Sequence, residues 1–224
     1  MIVVKRGKEP NSLLKFRKKN PDADYETDMP TNVLKDIREQ MWEEQRCLCA
    51  YCMKKINAPS IMRIEHCRPR HPKDEQEHDK KATLDFKWML GVCYGNSLLR
   101  GKLEDRTCDA HRGNAELTVN PFDEMSVRKI KYKTDGSIYS DDAEINKDVI
   151  ETLNLNCQAL SLPQTRKNVL MAEKNRIMRK CKGKSQDAFM RELERTYASL
   201  VQERNLTPYC GIIISWLESK LKIS

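Results

Sequence analysis

The chain is expected to fold as α+β, with a small zinc-stabilised finger embedded in a mostly helical domain. Three observations carry that expectation: cysteines grouped through the middle of the chain, short apolar stretches of strand character among them, and long stretches of helical spacing after them.

Residues 1–29 are basic and rich in Asn, Pro and Asp, so they are expected to form an extended N-terminal arm with little core of its own. Pro30 and Thr31 can start a helix with Leu34, Ile37 and Met41 on one face. The finger with this preceding helix is expected over 30–125. Within it Ile61, Met62 and Ile64 read as a short strand ending in Glu65-His66. Residues 126–224 are expected to form a β-hairpin and a helical C-terminal region. Ile130 and Tyr132 alternate with lysines before Asp135-Gly136 and Ile138, and the glycine accepts the positive φ of the turn. Four helical stripes follow: Ile145, Val149 and Leu153; Val169, Leu170, Ile177 and Met178; Phe189, Met190, Leu193, Tyr197 and Leu200; and Ile213, Trp216, Leu217 and Leu221. Such stripes are read first as core and second as partner-docking faces. Cys157, Cys181 and Cys210, within these segments, read as small buried residues.

Zinc takes four ligands about a tetrahedron, and the two-residue gap of Cys49-Ala-Tyr-Cys52 lets one tight turn present two thiolates. Cys93 and Cys108 complete the preferred set, although a stretch with Gly95, Arg100, Gly101 and Arg106 separates them in place of a short knuckle. Cys47, Cys67 and His111 remain alternatives, since Cys108 and His111 also have knuckle spacing. Between the two halves lies Glu65-His66. A neutral imidazole there can take a proton from water, and a carboxylate is a hard oxygen ligand for magnesium or manganese. Asp109, directly after a zinc cysteine, is the second carboxylate. A local Glu-His pair is by itself usually a surface feature; the bracketing cysteines raise its standing.

Lysine and arginine total 41 against 33 acidic residues, a formal net charge of +8 over 224 residues. A polyanion is the expected partner, although charges of both signs at 33% of the chain also suit solvated helix faces. Placement favours the polyanion: Arg68, Arg70, Lys73, Lys80, Lys81 and Lys87 follow His66, and Arg100, Lys102, Arg106 and Arg112 surround the second cysteine half. The beginning of the chain has no signal-peptide pattern, and no apolar stretch reaches membrane-spanning length. A cytosolic, membrane-free location is therefore expected.

The segments Cys49-Ala-Tyr-Cys52, Ile64-Glu65-His66 through Arg70, Met89 through Asn96, Thr107-Cys108-Asp109 through Asn114, and Asn120-Pro121 together resemble the HNH endonucleases that accompany retrons and form the nuclease subunit of Septu anti-phage systems. The resemblance covers roughly the middle half of the chain. It implies a ββα-metal finger with His66 as general base, Glu65 and Asp109 as ligands of a catalytic Mg2+ or Mn2+, and Cys49, Cys52, Cys93 and Cys108 holding a structural Zn2+. It further implies phosphodiester hydrolysis leaving 5′ phosphate. By their placement, Arg112 is expected to offset phosphate charge and Arg68, Arg70, Lys73 and Arg106 to meet the nucleic-acid backbone. A partner ATPase of the ABC/SMC type is implied as the restraint on cleavage, and Ile212–Leu221 and the N-terminal arm are its candidate docking surfaces. One position departs from the pattern: Trp88 stands where such enzymes usually carry the Asn that braces the histidine loop, with Asn96 or Asn114 as candidate replacements. That departure sustains an alternative, a catalytically inactive zinc-stabilised nucleic-acid-binding or adaptor subunit.

Overall fold

The first long helix follows from its stripe: α2 (Thr31–Glu44) buries Val33, Ile37 and Met41, one residue per turn, and Leu34 lies at the margin of that face. The computed structural model describes residues 1–70, 80–98, 101–202 and 206–223. In it the chain is α+β, with two small antiparallel sheets among helices.

The N-terminal segment corrects the expectation of an extended arm. Asn11–Lys19 is a helix, α1, whose Leu13 is buried against the core, and Met1 and Val4 are buried as well. Val4 N–H donates to Pro121 O at 2.9 Å, so this stretch is tied to the far end of the finger. Composition suggested an arm because the charges dominate the count, yet a few apolar residues at the right spacing suffice to anchor a helix.

The first sheet pairs β1 (Arg63–His66) with β2 (Met89–Val92), placing Arg63 opposite Val92 and His66 opposite Met89. Register matters here, because a one-residue slip would turn Glu65 and His66 to the opposite faces. Gln45, just after α2, fixes it from behind: its amide donates to Leu48 O at 2.9 Å and Gly91 O at 2.6 Å and accepts from Gly91 N–H at 2.7 Å. Two short helices flank the sheet, α3 (Lys80–Thr83) and α4 (Asp109–Arg112). After α5 (Glu124–Arg128) comes the expected hairpin, β3 (Ile130–Tyr132) with β4 (Ile138–Ser140). Gly136 in its turn has φ +90°, and a Cβ there would lie 1.9 Å from Pro163 O, so the position admits only glycine.

Ile145, Val149 and Leu153 are buried along α6 (Ala143–Lys147) and the wider turn Asp148–Thr152 that continues it. Three helices complete the chain: α7 (Leu162–Cys181), α8 (Gln186–Gln202) and α9 (Gly211–Leu221). Leu170, Ile177, Leu193, Leu200, Ile212, Ile213 and Leu217 form their core. Met178 does not belong to it; it is exposed. The stretch Ile212–Leu221, read as a candidate docking surface, contributes Ile212, Ile213 and Leu217 to this core. Leu48 and Met53 from the cysteine turn enter the same cluster, and Tyr209 N–H donates to Met53 O at 3.0 Å. Arg166 of α7, 1% exposed, donates to Gly136 O, Leu155 O and Asn156 Oδ1 at 2.6 to 2.9 Å, joining the hairpin to the helices. Among the described residues no helix is long and apolar enough to cross a membrane.

Candidate metal centre and hydrolytic site

The cysteine turn begins where α2 ends: Arg46 and Cys47 take positive φ, and Leu48 bridges Lys55 across the turn. Cys49 N–H donates to Lys54 O and Met53 N–H to Cys49 O, which aims Cys49 and Cys52 inward. Cys93 follows β2, and Cys108 precedes α4. The Sγ separations are 3.8 Å for Cys49 and Cys108, 3.7 Å for Cys52 and Cys93, and 3.9 Å for Cys93 and Cys108. A tetrahedron with metal–sulfur bonds of about 2.3 Å has edges of about 3.8 Å, so the four sulfurs stand at zinc-ligand spacing. All four lie within 4.8 Å of one another, and they could bind a zinc ion. Hydrogen bonds from Cys108, Cys49 and Cys52 hold the Cys93 thiol far below its usual range, while burial pushes Cys108 up. Cys47, Cys67 and His111 lie outside the cluster, and His111 Nδ1 instead meets Thr152 O at 3.0 Å.

His66 ends β1 and is 4% exposed. Its Nε2 lies 2.8 Å from Thr83 O, and a carbonyl can only accept, so Nε2 carries the proton and the Nδ1 lone pair is left as the base. Burial is the main reason its pKa falls to about 4, which keeps the ring neutral near pH 7. Tyr25 packs edge-on against the ring at 4.5 Å.

Glu65 and Asp109 come together as the sequence suggested. Burial, and after it the adjacent Asp109 charge, raise the Glu65 carboxyl to about 8, against the opposing pull of Arg112. Asp109 is paired with Arg63 Nη2 at 3.1 Å. Near pH 7 the Glu65 carboxyl therefore holds its proton, and a cation would have to displace that proton before two anionic oxygen donors stood side by side. His66 does not join them in a tight ligand group; among the described residues the four cysteines are the one set of three or more ligating side chains drawn within 4.8 Å.

Arg112 requires a correction. The sequence reading placed it on substrate phosphate, but its side chain is 1% exposed and its donors are spent on protein. It pairs with Glu65 Oε1 and donates to His66 O at 2.9 Å, Cys67 O at 2.8 Å, Ala115 O at 2.7 Å and Tyr51 OH at 3.2 Å. A planar guanidinium with five N–H groups can span a carboxylate and several carbonyls at once. It thereby braces the backbone at His66 from the opposite side of the finger. Neither proposed asparagine does so: Asn96 donates to Asp105 O at 3.0 Å, and Asn114 is exposed. Trp88 contributes its carbonyl alone, accepting from Cys67 N–H at 2.8 Å.

The expected phosphate contacts divide. Arg68 is exposed, with its guanidinium 4.1 Å from the Trp88 ring centroid. Arg70 is paired with Glu26 and lies over Tyr25 at 5.2 Å. Arg106 is half-buried toward Asn154, which donates to its carbonyl at 2.8 Å, and it does not join the His66 group. Lys73 lies outside the described residues. Sequence reasoning missed Tyr51, Gln45, Tyr25 and the Thr83 carbonyl. Tyr51 sits inside the cysteine motif and was open to notice; the other three are recruited across distances that no local pattern encodes.

No protein-family model matches the chain, and no curated protein matches it.

Proposed function

We propose that the chain is a metal-dependent endonuclease of the HNH type, with a ββα-metal finger formed by β1, β2 and α4 around a structural zinc held by Cys49, Cys52, Cys93 and Cys108. One observation carries the reading: a neutral histidine, anchored through Nε2–H on Thr83 O, directly follows Glu65 in β1, the Glu65 carboxyl meets Asp109, and four cysteines stand nearby in the chain at zinc-ligand spacing. When bound by Glu65 and Asp109, Mg2+ or Mn2+ supplies positive charge for a phosphoryl oxygen and the leaving oxygen. His66 Nδ1 takes the proton of the attacking water, and the Thr83 carbonyl steadies the imidazolium that forms. Arg112 keeps Glu65 and the His66 carbonyl in place. Arg68, the exposed cation of the group, meets the phosphate backbone. Restraint by an ABC/SMC-type ATPase belongs to the same proposal through the sequence resemblance, and co-expression followed by size-exclusion chromatography tests it.

The deciding experiment incubates purified protein with labelled duplex DNA, single-stranded DNA and RNA, with and without Mg2+ or Mn2+, beside His66→Ala. Cation-dependent cleavage that the variant lacks supports the assignment. Equal cleavage by both would overturn the role of His66. The second reading, an inactive zinc-stabilised nucleic-acid-binding subunit, draws on the burial of His66 and on the pairing of Glu65 with Arg112. Salt-dependent binding without cleavage under any cation would select it.

A further inference from the structure

Trp88 has no part in the hydrolytic chemistry, yet its backbone is locked to the residue after His66 and its ring carries cations. Cys67 N–H donates to its carbonyl, and the next residue, Met89, lies opposite His66 in the sheet. The indole is half-buried. Arg68 lies over it at 4.1 Å and Lys87 at 5.4 Å. The two cations differ: Lys87 is paired with Asp85 at 2.9 Å, whereas Arg68 is exposed and has no ion pair among the described residues. The neighbouring Arg70 over Tyr25 offers a contrast, since Glu26 already neutralises it.

Resting on the nuclease reading of the His66 site, we propose that Trp88 is a stacking platform for an unpaired nucleobase of the substrate strand, with Arg68 taking the adjoining phosphate. The guanidinium over the ring belongs to an exposed side chain that can swing aside for a flat partner, and aromatic and guanidinium planes are the surfaces on which splayed bases stack. Once a base takes the ring face, Arg68 is left beside it with no ion pair among the described residues, free to meet the strand's phosphate. In a duplex both faces of each base are covered by its neighbours, so a stacking platform selects strands with free base faces: single strands, loops, bulges and ends. The arrangement thus assigns a substrate class to the proposed nuclease.

The test measures affinity for fluorescein-labelled oligothymidylate and for a labelled duplex of equal length in magnesium-free buffer, using Trp88→Ala, Trp88→Leu and Trp88→Phe. Base stacking predicts a loss of about tenfold for oligothymidylate in the Ala and Leu variants, recovery to within about threefold in Phe, and duplex affinity within about twofold throughout. Trp88→Leu keeps apolar bulk, and Phe keeps the ring, so a folding defect in Ala alone leaves the comparison intact. Wild-type oligothymidylate affinity in Leu, an equal loss on duplex, or no binding of either probe by the wild type would each overturn the platform. The two readings part cleanly: cleavage without dependence on an aromatic residue sinks the platform and keeps the nuclease, and aromatic-dependent binding without cation-dependent cleavage does the reverse.

Discussion

The two clusters of the finger solve opposite electrostatic problems. The cysteine cluster gathers four polarisable sulfurs within 4.8 Å of one another, three of the separations being 3.7 to 3.9 Å, and its geometry comes from tight turns at the ends of α2 and β2. Around Glu65 two acidic side chains meet, and the protein accommodates them with a proton held on the Glu65 carboxyl near neutral pH, Arg112 beside it and Arg63 on Asp109. One site could be completed by a zinc ion. The other is already offset by side chains without a metal, so a cation placed there would compete with two arginines and a proton.

The largest effect should come from breaking the sulfur site. Structural zinc in small modules contributes roughly 10–16 kcal/mol of apparent folding free energy, more than most domains have in reserve. Cys52→Ser is expected to give insoluble protein or to lose most helix and strand signal by circular dichroism, and metal analysis of the wild type is expected to give one zinc per chain. Well-folded protein without zinc would remove this site from the argument.

Next in size is Arg112→Met, which takes the shared donor away from the Glu65 carboxyl and from the His66, Cys67 and Ala115 carbonyls. Removing one partner of a buried pair costs about 3–5 kcal/mol, which urea denaturation can read. A loss below about 1 kcal/mol would mean that Arg112 is not the brace. Arg112→Lys should recover only part of the loss, since an ammonium cannot span the carboxylate, His66 O and Cys67 O together.

His66→Ala follows. Cleavage is expected to fall at least about 100-fold, the usual scale of a general base. Because the ring is buried against Tyr25 and bonded to Thr83 O, the change should also cost about 1–3 kcal/mol of stability, and nucleic-acid affinity should stay near wild type. Separate readouts of rate, affinity and denaturation keep these apart.

The smallest effect is a slope. A carboxyl raised from its usual range to about 8 on folding favours the folded state at low pH, and that contribution drains away as pH rises from about 4.5 through about 8. Burial is the larger cause and Asp109 contributes after it. Asp109→Asn should therefore flatten the decline without abolishing it. Urea midpoints from pH 6.5 to 8.5 in magnesium-free buffer, taken as the difference between wild type and variant so that other titrations cancel, measure it; parallel curves would show that the two carboxylates do not communicate.

What was legible in the sequence follows the same division. The cysteines were readable because thiol spacing carries chemistry of its own, and the hairpin because Asp135-Gly136 dictates a turn. The stripes of α7, α8 and α9 were readable because their burial repeats with the helix. The environment of His66 was not. It depends on Tyr25 from a segment that composition marked as an arm, on Thr83 O from the backbone, and on Arg112, whose charge suggested a phosphate contact when its planar geometry made it an interior brace. Sequence counts charges; it does not say which side of the surface they face.

Leu48 and Met53 belong to the turn that carries Cys49 and Cys52, yet their side chains lie in the core of α7, α8 and α9. This makes the finger a poor cassette for transplantation. Cut free near residue 121 and grafted elsewhere, it would present two large apolar side chains and an unmatched Met53 carbonyl to solvent, on the very loop that must hold its sulfurs still. The cysteine turn and the C-terminal helices therefore depend on one another for a shared core, and a substitution at Leu48 or Met53 reaches both.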